Sequence, residues 1–158
     1  MLAALRRIHR THVSRLRDLS VDVRELGASE GRDALARFAR MFLGAERAPT
    51  FLSITDAARA TGREIDHGLW LREGAPLPAL KPRFGWLADW HSGTECIRFD
   101  RRPALPALRL PVFDMLDEWA FSWPGTYVCL ARGRALVVSL DLDVSCYDSA
   151  ARRPLAYR

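Results

Sequence analysis

Residues 2–26 contain no proline, and their apolar side chains recur at spacings of three and four until Gly27 closes the run. That period belongs to a helix with one buried side, so the sequence predicts a long amphipathic helix at the start of the chain. Leu5, Ile8, Leu16, Leu19, Val23 and Leu26 form its apolar stripe, and His12 falls inside that stripe. At roughly 100° per residue, Arg6, Arg10, Arg17 and Arg24 lie within about 40° of one another on the opposite side. Ser29 offers a cap for a second helix through Leu35, Phe38, Met41 and Phe42 to Gly44. A short turn between two amphipathic helices predicts an antiparallel helical hairpin.

The rest of the chain predicts mixed structure. Thr50 to Ile54 reads as a short strand, and Asp56 to Gly62 reads as a helix capped by Thr55. Three prolines between Ala75 and Pro82 mark a loop. Glu95 to Phe99 reads as a strand, and Pro103, Pro106 and Pro111 as a further irregular stretch. A third helix is expected at 112–121, ended by Trp123-Pro124-Gly125. The clearest strand signals follow: Thr126 to Ala131, a turn at Arg132-Gly133-Arg134, and Ala135 to Leu142. Val144 to Tyr147 is a further expected strand. Helices first and strands last predict an α+β fold, an N-terminal helical hairpin packed with a small antiparallel sheet formed mainly by the C-terminal third. A length of 158 residues suits one domain. Its parts are a helical 1–48, a loop-rich 49–111, and a helix plus β-hairpin at 112–158.

Charge is unevenly placed. The net value is +5, and Lys81 is the only lysine among 24 basic residues. Arginine usage this lopsided reflects a genome rich in G and C, so its abundance alone implies no ligand. Its placement says more. Residues 1–17 carry Arg6, Arg7, Arg10, Arg15 and Arg17 with no acid, whereas Asp114, Asp117 and Glu118 make residues 109–150 acidic. Arginine's planar fork of donors suits carboxylates and phosphates, which makes the row a candidate docking surface. Cys96, Cys129 and Cys146 are odd in number and widely spaced, as expected of free thiols in a reducing compartment. With no signal-peptide pattern and no long uncharged apolar run, the expectation is a bacterial cytoplasmic protein without a membrane span.

One segment resembles a known family. Leu52-Ser53-Ile54-Thr55-Asp56-Ala57-Ala58-Arg59-Ala60-Thr61-Gly62 and Trp70-Leu71-Arg72-Glu73-Gly74 resemble the helix-turn-helix of excisionase-like DNA-binding proteins. In those proteins paired alanines precede a turn glycine, and a tryptophan precedes a Glu-Gly wing. The resemblance implies a DNA-binding element at 52–74.

Catalytic patterns are sparse. His9 and His12 are spaced to share an ion on a helix but lack a second pair of ligands. Cys96 could pair with His91 or His67 as a nucleophile, and alternation places it beside Arg98, away from the apolar side of its strand, where partial exposure is expected. Asp141 and Asp143 share a strand face. No glycine-rich phosphate loop is present. Tryptophan is abundant, and Trp86 and Trp90, beside proline-rich loops, are candidates for an exposed interface.

The reading is therefore a non-catalytic protein-binding module without a cofactor, of a toxin-neutralising (immunity-like) or effector-accompanying kind. The expected contacts are the row Arg6, Arg10, Arg17 and Arg24 with Trp86 and Trp90, or the acidic group Asp114, Asp117 and Glu118. The alternatives are a DNA-binding protein using 52–74 and a small Cys-dependent or metal-dependent enzyme.

Overall fold

The computed structural model describes residues 1–67, 69–70, 94–111, 127–131, 134–138 and 144–148. The expected helix at 112–121, Trp86, Trp90, Asp114, Asp117, Glu118, Asp141 and Asp143 lie outside the described residues. The fold is α+β. Helices α1 (Leu2–Asp18), α2 (Ala28–Phe42) and α3 (Gly44–Thr61) come first, with a two-residue strand β1 (Arg24–Glu25) between α1 and α2. Strands β2 (Glu95–Asp100), β3 (Leu108–Pro111), β4 (Tyr127–Ala131), β5 (Arg134–Val138) and β6 (Val144–Asp148) follow. Among the described residues the six strands form one sheet in the order β1-β3-β2-β4-β5-β6, and every pair is antiparallel. The expected β-hairpin is present as β4 and β5, in register from Ala131 opposite Arg134.

The first helix is shorter than its period predicts. Periodicity continues to Leu26, but the backbone leaves the helix after Asp18 and Ser20 takes φ 62°. Asx- and Ser-rich sequence at Asp18, Ser20 and Asp22 favours turns over helix. Val23 and Leu26 are still buried, though from an extended segment, because Arg24 and Glu25 pair with Arg109 and Leu108. Within α1 the buried side consists of His9, Val13 and Leu16, flanked by half-buried Leu2, Leu5 and His12. Ile8 and Leu19 are 41% and 65% exposed. The true stripe is therefore rotated about 50° from the one that Leu and Ile alone define.

The helical hairpin is α2 with α3. A single residue, Leu43, separates them, and Gly44 at φ +81° supplies the left-handed step that the reversal requires. The Phe38–Phe51 ring contact and the Arg32–Asp56 ion pair fix the two helices antiparallel. Residues 50–54, expected as a strand, are inside α3, which also crosses the expected boundary at residue 48. Burial decides the matter: Phe51 and Thr55 are four apart on the inner side of α3. Thr55 is accordingly not a cap. Its Oγ1 donates to the Phe51 carbonyl at 2.8 Å in mid-helix. Pro49 is accommodated at the expense of one helical hydrogen bond. Gly62 ends α3 in the left-handed region, φ 71°.

Strand β2 is covered on both faces. Ile97 and Phe99 join Phe38, Phe42 and Phe51 in the main core. Cys96 lies opposite Leu110 and Arg98 opposite Leu108, so these four residues share the other face of the sheet. All four are buried. Arg98 Nη1 donates to His12 Nε2 of α1 at 3.4 Å. Thus α1 packs on one face at β2 and the α2–α3 pair on the other.

Candidate functional site

The arginines singled out by spacing do not all share one surface. Arg6, Arg10 and Arg17 are exposed on α1. By the helical period they stand about 90° from the centre of its buried side, on its flank rather than opposite it. Arg7 and Arg15 fill the outer arc between them and the exposed Ile8 and Leu19. Arg24 is not in the row. It lies on β1, where its guanidinium makes two hydrogen bonds to Glu30, at 2.9 and 2.8 Å. That pair holds the Glu30 carboxyl below its ordinary value and raises Arg24.

Six of the described arginines pair with described carboxylates. Arg24 and Arg109 meet Glu30, Arg32 and Arg59 meet Asp56, and Arg101 and Arg102 meet Glu64. Among the described residues none of Arg6, Arg7, Arg10, Arg15 and Arg17 has such a partner; Arg37, Arg40 and Arg63 share that condition. The α1 arginines differ in being five on one helix, with no acid before Asp18.

Where it is described, the 52–74 segment is helical to Thr61, leaves the helix over 62–66 and is helical again at 67 and 69–70, where the Asp66 carboxylate accepts the Leu69 amide at 2.9 Å. The Ile65 amide donates to the Arg101 carbonyl at 2.7 Å. Glu64 is engaged by Arg101 at 3.3 Å and Arg102 at 2.7 Å. Trp70 packs edge-on against Phe51, ring centres 5.3 Å apart, with the Arg47 guanidinium 4.9 Å above its ring. Arg47 also donates to the Trp70 carbonyl at 2.9 Å. The tryptophan that would precede a wing is thus a lid on the main core.

The thiol and histidine candidates are likewise placed. Cys96 is 1% exposed, not partly exposed; it shares its strand face with buried Arg98, Leu108 and Leu110. His9 Nε2 bonds Glu25 Oε1 at 2.8 Å, tying α1 to β1. Burial lowers the His9 pKa, and the Glu25 contact opposes that shift. His12 faces the Arg98 guanidinium, an unfavourable neighbour for a bound cation. Among the described residues no cluster of three or more His, Cys, Asp or Glu side chains is arranged to hold a metal ion. No helix among them is long and apolar enough to cross a membrane.

Sequence reasoning missed a cavity of about 180 Å³ between the first turn of α2, the end of α3 and the loop joining β2 to β3. Leu26, Leu35, Phe99 and Leu105 contribute apolar lining, and Arg32, Arg59 and His67 contribute polar groups. His67 is 1% exposed, wedged edge-on against Phe38 and Phe51 at 6.3 and 5.8 Å. Among the described residues its Nδ1 has no hydrogen-bond partner, and burial pushes its pKa down to about 4. The one sequence signal was a histidine between acidic Asp66 and Gly68, which reads as surface. No family model matches the sequence, and neither a curated protein nor a solved structure matches the chain.

Proposed function

We propose that this chain is a non-catalytic protein-binding module that receives an acidic partner protein on the outer side of α1, in the manner of a toxin-neutralising or effector-accompanying protein. The observation that carries the reading is the set Arg6, Arg7, Arg10, Arg15 and Arg17, exposed and without internal carboxylates among the described residues. Such a surface accelerates encounter with a negatively charged partner and orients it. Exposed Ile8 and Leu19 stand next to Arg15 by the helical period. Apolar side chains set among arginines suit the dry centre of a protein interface. A phosphate backbone offers them nothing comparable. The engagement of Glu64 by two arginines places a carboxylate and its partners, not free arginines, in the turn of the 52–74 segment.

The test is affinity purification from the native host after nuclease treatment, comparing the wild type with Arg6→Glu/Arg10→Glu/Arg17→Glu. The expected result is an acidic protein retained by the wild type and bound about tenfold or more weakly by the variant, with helical circular dichroism unchanged. Loss of all binding after nuclease treatment would overturn the reading. So would duplex binding whose logarithmic salt slope approaches about −0.9 per neutralised phosphate, or equal retention of the partner by the reversed variant.

A further inference from the structure

We propose that the cavity between the first turn of α2, the end of α3 and the β2–β3 loop binds a small carboxylic acid, its apolar body inside and its carboxylate against Arg32 and Arg59. Size sets the first limit. About 180 Å³ slightly exceeds the roughly 150 Å³ that admits benzene in an engineered core, so one ring or a short branched chain fits. Leu26, Leu35, Phe99 and Leu105 provide apolar contact for that body.

Charge selects the head group. The Arg32 and Arg59 side chains are 63% and 36% exposed, which puts them toward the open side, and Asp56 binds both. The three together carry one net positive charge. With Asp100 at the same cavity the four carry no net charge, so a monocarboxylate leaves less excess negative charge than a phosphate dianion. The N-terminus of α2 adds to the same side: Gly27, Ala28 and Gly31 border the cavity, and among the described residues no N-cap side chain caps the helix. The Gly31 amide is bonded to the Gly27 carbonyl and Glu30 already brings a carboxylate to this end, so the amides of residues 28–30 are the ones left to favour a further anion there. Asp100 also borders the cavity, with its Oδ1 accepting the Arg102 amide at 2.8 Å. Repulsion from Asp100 directs the ligand's carboxylate to the arginine side.

His67 points independently to a ligand. A buried polar atom left without a partner costs stability, and native proteins seldom keep one without use. His67 lines this cavity, and its Nδ1 is such an atom among the described residues. A hydroxyl or carbonyl on the far end of the ligand would satisfy it. The ligand class is thus a small apolar carboxylic acid bearing a second hydrogen-bonding group, of which 4-hydroxybenzoate is a usable probe.

The experiment is an NMR and calorimetric titration of the full chain with 4-hydroxybenzoate, benzoate and inorganic phosphate. Expected are saturable shifts at the Ala28 amide and the His67 ring nitrogens, with 4-hydroxybenzoate binding more tightly than benzoate. Arg32→Gln and Arg59→Gln should each weaken binding about tenfold or more. Because Arg59 also donates to the Pro103 carbonyl, the more exposed Arg32→Gln keeps the test valid if Arg59→Gln does not fold. His67→Leu should abolish the preference for the hydroxylated acid. The proposal is overturned by an absence of saturable shifts, by binding of phosphate alone, by unchanged affinity in Arg32→Gln, or by shifts confined to α1. The last result would place the carboxylate on the partner-binding arginines instead.

Discussion

His67 shows how much a single side chain can weigh on this molecule. Its imidazole is neutral in the folded state down to about pH 4, while an unfolded histidine takes up a proton near 6.5. Between those values the unfolded state binds the extra proton, so stability falls as pH falls through the window. The full difference is roughly 3 kcal/mol. His9 is lowered in the same direction, and comparison with a variant isolates the His67 share. Urea unfolding at pH 7.5 and 4.5 should show the wild type losing more stability than His67→Leu by most of that amount; parallel losses would refute the assignment. Phe38 is the other residue on which the core depends, since it touches Phe42, Phe51, Phe99 and His67. Phe38→Ala should cost about 3–5 kcal/mol in the same assay. Neither role was legible from spacing. A phenylalanine at a helical period declares itself as core, but its partners come from three separate elements. A histidine declares nothing until its surroundings are known.

At the scale of elements, local patterns were legible where the element is stabilised locally. The β4–β5 hairpin, β6 and β2 follow from β-branched and aromatic runs bounded by turn residues, and α2 follows from its period. What escaped depends on distant partners. Strand β1 is two residues long and exists through Arg109 and Leu108. Strand β3 lies in a stretch whose prolines argue for a loop, yet Pro111 sits at its end, where no further pairing is demanded. The Thr50–Ile54 run looks like a strand and is helical because Phe51 must reach Phe38. The arginine row was half legible: the period placed Arg6, Arg10 and Arg17 correctly together, and the early end of α1 removed Arg24. Gly62 tests the logic of helix termination. It has φ 71°, and a Cβ there would stand 3.0 Å from Leu2 Cδ2. Gly62→Ala should therefore lower stability by about 1–2 kcal/mol, read from a shift in the urea midpoint without a change in slope. An unchanged midpoint would mean that the turn relaxes freely.

The whole molecule is built around β2, with helices on both of its faces. That arrangement explains why Cys96, judged from alternation to be accessible, is enclosed: alternation shows which face a side chain takes, and cannot show whether that face is covered. Iodoacetamide should leave the Cys96 peptide unmodified in native protein for hours and modify it promptly in urea, as read by mass spectrometry. Rapid native labelling would mean that this face of β2 opens easily. The sheet order carries a further consequence, for synthesis. Strand β1 closes the edge of the sheet against β3, whose first residue is made more than eighty positions after Arg24. At ribosomal speeds of about 5–20 residues per second, that delay is roughly 4 to 17 s. Until β3 emerges, α1 has no sheet to lie on, and its half-exposed apolar stripe must wait in the company of five arginines. Their mutual repulsion is then a safeguard for the nascent chain, keeping one copy's first helix from adhering to the next.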